Sequence, residues 1–355
     1  MRRLLSSLLR ALRLVDSKVA ALRRKLLPPE LVAFEDLTAA WLTSALGTAA
    51  ALKLPELVGR GTSLEALVAQ TRVDADGLRR ILDVLVSHGY FRWVDGGQAL
   101  EQTRLSRALQ PGRIGRFCEL QSRAWYRDCF SVESVLEGLR SKEPPFCSSA
   151  DGLAFFEVLQ RDLEKDTLFA EAMAEITDYC STFLLNSLHF EDGERVLDVG
   201  GGNGHLCKIL ADRFPGSSFT ALDIHAASSN DGVGHHQGNF LEGVPRGYDH
   251  FLLKNILHDW DDDIALRILE NCEKAAHEGT RLTLIEVVLP EPGEDATGSA
   301  GDFKVHWNVY CTLGGRERCL SEYRRLLERA GWVLEWARPT ALPLWVLQAS
   351  LGPKA

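Results

Sequence analysis

The chain has 355 residues, of which 45% are hydrophobic and 25% are charged, and its formal net charge is −9 at pH 7. This length allows two domains with sizeable cores, and the composition is ordinary for a soluble protein. The acidic balance argues against nucleic acid or an anionic membrane as the main partner of the whole chain, because both attract basic surfaces. Small molecules are the expected partners. The eight cysteines lack metal-type spacing, so we expect reduced thiols in a cytoplasmic protein.

The first 27 residues, MRRLLSSLLRALRLVDSKVAALRRKLL, are basic, and their leucines recur at helical spacing. The pattern predicts an amphipathic helix, which Arg10, Arg13 and Lys18 interrupt too often for a bilayer span. Two interpretations remain. We favour a helix that packs on a partner over a transit peptide or a membrane-surface helix. No other segment is apolar for long enough to span, so no stable membrane insertion is expected.

Residues 1–115 are predicted to form a mainly helical, winged-helix-like domain. Ser63 and either Asp74 or Asp76 are suited to begin two helices, and Gly89 ends the second. YFRWV, a two-glycine turn and QALEQT then read as a hairpin. Such a domain serves DNA binding or dimerisation, and the acidic charge of the chain favours dimerisation.

Residues 116–188 are predicted as a helical bridge that contributes to a substrate pocket, and residues 189–355 as the ligand-binding domain. After Gly193, strands and helices alternate as RVLDVG, a helix from about His205, SFTALDI, HFLLKNIL, a helix from about Asp262 and RLTLIEVVL. Alternating units of this kind predict an α/β fold with a parallel, Rossmann-like sheet between helices. LERAGWVLEWARP and LPLWVLQAS are expected to close the sheet.

The segment RVLDVGGGNGHLCKIL places Gly200, Gly202 and Gly204 between a strand and a helix. Glycine lets the backbone approach a ligand closely, and the start of the helix offers unpaired N–H groups. His205 stands where a nicotinamide dinucleotide motif would have its last glycine, so that cofactor is not indicated. Asp223 ends the next strand, about 19 residues further on, where a carboxylate can accept both hydroxyls of a ribose.

Four segments in this order carry a closer resemblance: DVGGGNG, LLKNILHDWDDD, LIEVVLPE and GGRERCLSEYRRLLERAGW. Over nearly its whole length the chain resembles the small-molecule O-methyltransferases of plant phenolic and bacterial antibiotic pathways. The resemblance implies a class I methyltransferase fold, S-adenosylmethionine as the methyl donor bound by residues 189–355, and a homodimer joined through the N-terminal domain. It also implies methyl transfer to a hydroxyl oxygen of a small, aromatic or polyketide-like metabolite, whose identity the sequence does not fix.

The resemblance further implies roles for single residues. His258 matches a general base, and it follows the predicted strand HFLLKNIL at the carboxyl end of the sheet, where ligands bind in open α/β folds. A phenol needs such a base because its pKa is near 10. Glu286 and Glu317 match the two acids that flank this histidine. The implied cofactor-binding residues are Gly200, Gly202, Gly204, Asp223, Asn239, Phe240, Lys254, Asp259, Trp260 and Thr177. The candidate pocket residues are Trp125, Phe155, Phe156, Met173, Trp307 and Tyr310.

Asn239 and His306 depart from the family pattern, and two alternatives remain. Asn239 replaces the usual aspartate that faces the adenine, and its amide oxygen can still accept a hydrogen bond. No metal is expected in the main interpretation. In the first alternative His258 and His306 ligate a metal for C-methylation of an α-keto acid. In the second the chain is a cofactor-binding scaffold or a winged-helix regulator without enzymatic activity. His235 and His236 are predicted as loop residues.

Overall fold

The computed structural model describes residues 2–224, 232–294 and 300–352. In chain order the helices are α1 (Arg2–Leu26), α2 (Pro29–Ala51), α3 (Leu54–Leu57), α4 (Leu64–Thr71), α5 (Ala75–Ser87), α6 (Arg104–Ala108), α7 (Gly115–Leu120), α8 (Ala124–Arg127), α9 (Val132–Ser141), α10 (Pro145–Ser149), α11 (Phe155–Arg161), α12 (Leu163–Leu184), α13 (His205–Arg213), α14 (Asp262–Ala275), α15 (Ala300–Leu313) and α16 (Leu320–Arg329). The strands are β1 (Arg60–Ser63), β2 (Phe91–Val94), β3 (Ala99–Gln102), β4 (Arg195–Val199), β5 (Ser218–Asp223), β6 (Gly234–Gln237), β7 (His250–Lys254), β8 (Arg281–Leu289), β9 (Arg318–Cys319), β10 (Trp332–Pro339) and β11 (Leu344–Leu351).

The chain divides into two compact units that do not follow chain order. The helical unit contains Leu26–Val132 and Ser149–Tyr179, and the sheet unit contains Met1–Lys25, Glu133–Ser148 and Cys180–Ala355. The boundaries 1–115, 116–188 and 189–355 were drawn along the sequence and stay a prediction. No helix in the described ranges is long and apolar enough to cross a membrane.

The helical unit contains the predicted helices and hairpin. The side chains of Ser63 and Asp74 accept hydrogen bonds from the amides of Ala66 (3.2 Å) and Gly77 (2.7 Å), so each caps its helix. β2 and β3 form the predicted hairpin, and β1 adds a third antiparallel strand that the sequence analysis missed. The buried core of this unit includes Leu54, Leu67, Leu78, Leu82, Leu85 and Leu100.

The sheet unit has the predicted α/β architecture. Its strands lie in the order β10-β11-β8-β7-β4-β5-β6, and β9 pairs with β8. The strands from β8 to β6 are parallel, whereas β10 and β11 form an antiparallel edge. Side chains of α14 and α16 pack with this sheet in one continuous core, in which the indole of the fully buried Trp332 donates to the carbonyl of Leu269 (3.1 Å). The Rossmann-like fold is thereby confirmed.

The strand predicted over HFLLKNIL is too long. β7 ends at Lys254, because Asn255 adopts a left-handed φ of 53° and Leu257–Asp259 forms a 3-10 turn. The Asn255 amide still bonds to the carbonyl of Ile285 in β8 (2.9 Å). His258 therefore lies on a turn that begins after two intervening residues, Asn255 and Ile256, rather than directly at a strand end.

The strand predicted over RLTLIEVVL forms as β8, and Glu286 is buried within it. One further expectation differs from the structure. His235 and His236 lie in β6, which pairs in parallel with β5, and not in a loop. Short polar strands of this kind lack the apolar alternation that identifies strands from sequence.

Candidate active site

The turn that carries His258 is fixed by a side chain from the neighbouring strand. Oε1 of Glu286 accepts hydrogen bonds from the amides of Ile256 (3.0 Å) and Leu257 (2.8 Å). Glu286 is fully buried, so water does not compete for these bonds. The acid predicted to flank the histidine thus holds the backbone immediately before it.

The segment after α15 holds the same turn from its other side. The amide of Arg316 donates to the carbonyl of His258 (2.8 Å). A Cβ on Gly315 would lie 2.0 Å from that carbonyl oxygen and 2.5 Å from the carbonyl carbon of Asp259. Only glycine allows two backbone segments to approach this closely. This role of Gly315 was not predicted from the sequence, although the glycine pair in GGRER is a signal for a close backbone approach.

Arg318 is a second functional residue that the sequence analysis missed. Its fully buried guanidinium donates to the carbonyls of Leu257 (2.8 Å) and Trp260 (2.9 Å), on either side of His258. Its Nε donates to Asp262 at the start of α14 (2.8 Å). One side chain therefore ties both ends of the turn to the following helix.

The ring of His258 has an acid at each nitrogen. Oε1 of Glu317 lies 2.7 Å from Nδ1, and Oε2 of Glu286 lies 4.0 Å from the same nitrogen. Oδ1 of Asp259 lies 3.2 Å from Nε2. A carboxylate at Nδ1 keeps a proton on that nitrogen, which leaves Nε2 as the atom that exchanges a proton with a ligand.

Burial and charge act in opposite directions on the pKa of His258. Burial lowers it, but the carboxylates of Glu317, Asp259 and Glu286 together outweigh burial and raise the pKa to about 10. Burial raises the pKa of Glu286 to about 7 and that of Asp259 to about 6, against the attraction of the imidazolium. Strong shifts of this kind are typical of functional sites.

Each glutamate also has one oxygen that the described residues leave without a hydrogen bond. Oε2 of Glu286 and Oε2 of Glu317 are buried and have no hydrogen-bond partner among the described residues. An unsatisfied buried oxygen costs about 1–3 kcal/mol, more when it is charged. Folded proteins tolerate such groups mainly where function requires them.

His306 contacts the backbone of Glu317. Its Nδ1 accepts a hydrogen bond from the amide of Glu317 (3.1 Å), and burial lowers its pKa. Within the described ranges, the side chains close enough together to hold a metal ion are His258, Glu286 and Glu317. The pair His258 and His306 therefore gains no support as a ligand set, and His306 instead helps to fix Glu317.

The glycine-rich turn lies between β4 and α13. Gly200, Gly202 and Gly204 have φ values of 76°, 55° and 78°, in the left-handed region that favours glycine. A Cβ on Gly202 would meet no atom within 4 Å, so the space beside it is open to a ligand. The Gly202 amide donates to Oδ2 of Asp223 (3.0 Å). The predicted glycines and the predicted acid are thus brought together at the carboxyl ends of neighbouring strands.

Aromatic side chains line one side of this turn. A Cβ on Gly200 would lie 3.4 Å from the ring of Phe240, and Phe240 meets Trp260 edge to face, with ring centroids 6.4 Å apart. Nε1 of Trp260 is buried and has no hydrogen-bond partner in the described part of the chain. Lys254 ends β7, the neighbour of β4 in the sheet.

Asn239 precedes Phe240 and is held by its neighbours. Its Oδ1 accepts from the amide of Leu241 (3.0 Å), and its Nδ2 donates to the carboxylate of Glu242 (3.2 Å). The carbonyl oxygen has a second lone pair, so it can still accept from a ligand amine. Glu242 also restores a negative charge beside the position where the family usually has aspartate.

The remaining predicted residues of the helical unit cluster around aromatic rings. Trp125 stacks on Phe155 with ring centroids 6.3 Å apart, and Nζ of Lys165 lies 5.7 Å above the Trp125 ring. The hydroxyl of Thr177 donates to the carbonyl of Met173 one turn earlier in α12 (2.8 Å). Their predicted contacts with the cofactor and the acceptor stay predictions.

Trp307 and Tyr310 lie one turn apart on α15 in the sheet unit. Their ring centroids are 5.6 Å apart, and Trp307 is 45% exposed. A large, exposed aromatic side chain on the helix that also carries His306 is suited to contact a ligand. Their role in an acceptor pocket stays a prediction.

This chain resembles known proteins over most of its length. The O-methyltransferase domain family matches residues 133–333, and the O-methyltransferase dimerisation domain family matches residues 34–111. The phenazine O-methyltransferase PhzM of Lysobacter antibioticus is 28% identical over 91% of this chain and 96% of its own length. The mitomycin biosynthesis 6-O-methyltransferase of Streptomyces lavendulae is 28% identical over 85% of this chain and 89% of its own length.

Solved structures share the fold, and one of them contains bound S-adenosylhomocysteine. The crystal structure of LaPhzM matches this chain with a TM-score of 0.81 and 27% sequence identity. The match covers 92% of this chain and 100% of the LaPhzM chain. The structure of CalO1, a methyltransferase in calicheamicin biosynthesis solved with bound S-adenosylhomocysteine, has a TM-score of 0.76 at 26% identity. The match covers 91% of this chain and 98% of the CalO1 chain.

The scaffold and regulator alternatives gain no support. The chain belongs to the O-methyltransferase family and is an S-adenosylmethionine-dependent O-methyltransferase.

Proposed function

We propose that this enzyme methylates a hydroxyl oxygen of a small aromatic or polyketide-like metabolite, with His258 as the general base, and that it works as a homodimer. The contact between Nδ1 of His258 and Glu317 carries the assignment, because it leaves Nε2 as the proton-exchanging atom. The relatives named for phenazine and mitomycin biosynthesis support a small-molecule acceptor. The cytoplasmic location inferred from the cysteine pattern and the absence of a nucleic-acid partner stay predictions.

The glycine-rich turn fits the cofactor. The open side of Gly202 admits a ligand to the backbone, the carboxylate of Asp223 provides an acceptor for ribose hydroxyls, and Phe240 and Trp260 offer an aromatic wall. Asn239 would face the adenine, beside Glu242. When bound, S-adenosylmethionine supplies a methyl group on a positively charged sulfur.

The task of the protein is then to align the acceptor oxygen and to remove its proton. Alignment alone lowers the barrier of such a displacement by several kcal/mol. The acceptor hydroxyl would replace Asp259 at Nε2 of His258, and its proton would move to Nε2 as the oxygen lone pair forms the bond to the methyl carbon. The bound cofactor would supply the methyl carbon, and its sulfur would keep the electron pair of the broken carbon–sulfur bond. The imidazolium that results is stabilised by Glu317 at Nδ1.

The pKa of His258 suits this proton transfer. A phenol has a pKa near 10, and the pKa of His258 is raised to about 10. Once neutral, an imidazole whose pKa is raised is a stronger acceptor of the phenolic proton than a free imidazole. Because the resting imidazole is largely protonated at pH 7, we expect turnover to rise with pH as the neutral base becomes more abundant.

The homodimer is supported by an exposed apolar face on α2. Phe34, Leu37 and Trp41 share one side of this helix and are 59%, 76% and 69% exposed. Phe34 and Trp41 also meet edge to face, with ring centroids 6.5 Å apart. Large exposed apolar patches mark interaction sites, and this one lies within the match to the dimerisation domain family.

The function is tested by separating chemistry from cofactor binding. Methyl transfer from radiolabelled S-adenosylmethionine is measured on a panel of phenolic acceptors, and cofactor affinity is measured by calorimetry. His258→Ala should lower turnover about 10²–10⁴-fold and leave cofactor affinity unchanged. Asp223→Asn should weaken cofactor affinity roughly tenfold or more. His189→Ala, at an exposed histidine, is the matched control. Turnover like that of the unaltered enzyme in His258→Ala would refute the base assignment.

A further inference from the structure

Helix α1 turns an apolar stripe toward solvent. The stripe consists of Leu8, Leu12, Val15, Val19, Leu22 and Leu26. These side chains are between 55% and 74% exposed, although at helical spacing they fall within an arc of roughly 80°. Ser17 and Ala21, on the far side of the helix, are half-buried. An amphipathic helix of a soluble protein normally turns its apolar side inward, so this stripe is suited to bind another surface.

The charge of this segment is opposite to that of the rest of the molecule. The first 27 residues contain eight basic residues and one acidic residue, a net charge of +7 within a chain of net charge −9. At helical spacing Lys18 and Lys25 flank one edge of the stripe, and Arg23 flanks the other together with Asp16. The stripe is therefore bordered by cations on both sides.

The spacing of the stripe residues alone allows two kinds of binding partner for the stripe. Intervals of four and three residues suit a coiled-coil seam, so a second copy of α1 is the first candidate. In such a pair, Lys18, Arg23 and Lys25 would occupy the positions that flank the seam, opposite their equivalents in the other helix. Asp16 is the one acid in the segment, so like charges would face each other and oppose pairing.

An anionic lipid surface complements both features of the helix. Apolar side chains of a helix that lies in the interface enter the boundary of the acyl chains, while flanking lysines and arginines reach the lipid phosphates. Each such cation contributes about a fivefold gain in binding to an anionic bilayer. We propose that α1 binds the surface of an anionic lipid bilayer and lies in its plane. The segment lies outside both family matches, so this property is additional to methyl transfer.

The test is co-sedimentation of the full-length enzyme with vesicles. Vesicles of equal parts phosphatidylglycerol and phosphatidylcholine are compared with vesicles of phosphatidylcholine alone. We expect binding to the anionic vesicles that weakens as salt is added. Lys18→Gln with Lys25→Gln should weaken it roughly thirtyfold. Leu12→Gln with Val19→Gln should weaken it more than tenfold, because two apolar side chains leave the acyl boundary.

The matched control is Ala20→Gln, next to Val19 but off the stripe, which should bind as the unaltered enzyme does. Turnover on a soluble acceptor should be the same in all these variants, which shows that they fold. Failure of the unaltered enzyme to sediment with anionic vesicles at low salt would overturn the proposal. So would loss of binding in the lysine variant but not in the stripe variant, which would indicate non-specific attraction. A change of subunit number in the stripe variant without vesicle binding would instead assign the stripe to a second copy.

Discussion

Oε1 of Glu317 lies 2.7 Å from Nδ1 of His258, although 59 residues separate the two in sequence. This one contact fixes the tautomer of the imidazole and, after the opposing effect of burial, is the largest single influence that raises its pKa. Orientation and basicity of the proposed base therefore depend on the same carboxylate.

Replacing Glu317 with glutamine should separate these two effects. Glutamine can keep an oxygen near Nδ1 but removes the negative charge, so the pKa of His258 should fall. The acidic limb of the kcat/KM profile should therefore move to lower pH by at least about one unit. Turnover at the plateau should also fall, because a weaker base removes the phenolic proton less readily. Glu328→Gln, at an exposed position in α16, is the control, and an unmoved acidic limb in Glu317→Gln would contradict the assignment.

Gly315→Ala should damage the site without changing any ionisable group. The new Cβ would lie 2.0 Å from the carbonyl oxygen of His258, so the turn or the GGRER segment must shift. Misplacement of a catalytic group by about 1 Å costs on the order of 10²-fold in rate. Gly243→Ala is the matched control, because a Cβ there meets no atom within 4 Å. Equal kcat values for the two variants would show that the close approach of Gly315 to the carbonyl of His258 is not required for catalysis.

Glu194 should supply acid-sensitive stability at the opposite end of the sheet. Burial raises the pKa of its carboxyl, but hydrogen bonds from His250 (3.1 Å) and Arg281 (2.6 Å) outweigh burial and lower the pKa to about 2. A folded-state pKa below the unfolded value of about 4.5 stabilises the fold above that pH, and the contribution disappears as the pH falls toward 2.

Glu194→Gln should therefore lower the free energy of unfolding by roughly 3 kcal/mol at pH 7, and the loss should shrink as the pH falls through the range from about 4.5 to 2. Urea unfolding at a series of pH values measures this difference. Glu191→Gln, at an exposed position nearby, should not lower the free energy of unfolding in this pH-dependent way. A difference that stays constant over the whole pH range would show that Glu194 acts by packing alone.

Trp41→Glu should convert the proposed homodimer into a monomer. A charged side chain at a position that is 69% exposed in one subunit costs that subunit little, but it would be buried in the proposed interface. Light scattering after size-exclusion chromatography gives the subunit number directly. Ala69→Glu, exposed on α4 of the same unit, should remain dimeric. If the Trp41→Glu variant is still a dimer, the interface lies elsewhere on the subunit.

Local sequence determined the elements whose structure depends on near neighbours. Ser63 and Asp74 cap their helices through amides three residues away, and Gly200 to Gly204 form the turn between β4 and α13. β1 was missed because the four residues RGTS lack apolar alternation and pair with a register shift. The order of strands and helices was sufficient to predict the Rossmann-like sheet, since alternating units form parallel sheets.

The motifs also identified His258, Glu286 and Glu317 as one site, but their individual tasks follow from contacts across the sheet. Glu286 fixes the amides before His258, Gly315 permits a close backbone approach, and Arg318 binds carbonyls up to 61 residues away. A motif specifies neither these contacts nor the raised pKa of His258. The contacts join segments that are distant in sequence, and the pKa depends on burial and on the charges that those segments place around the ring. Only the tertiary structure determines both.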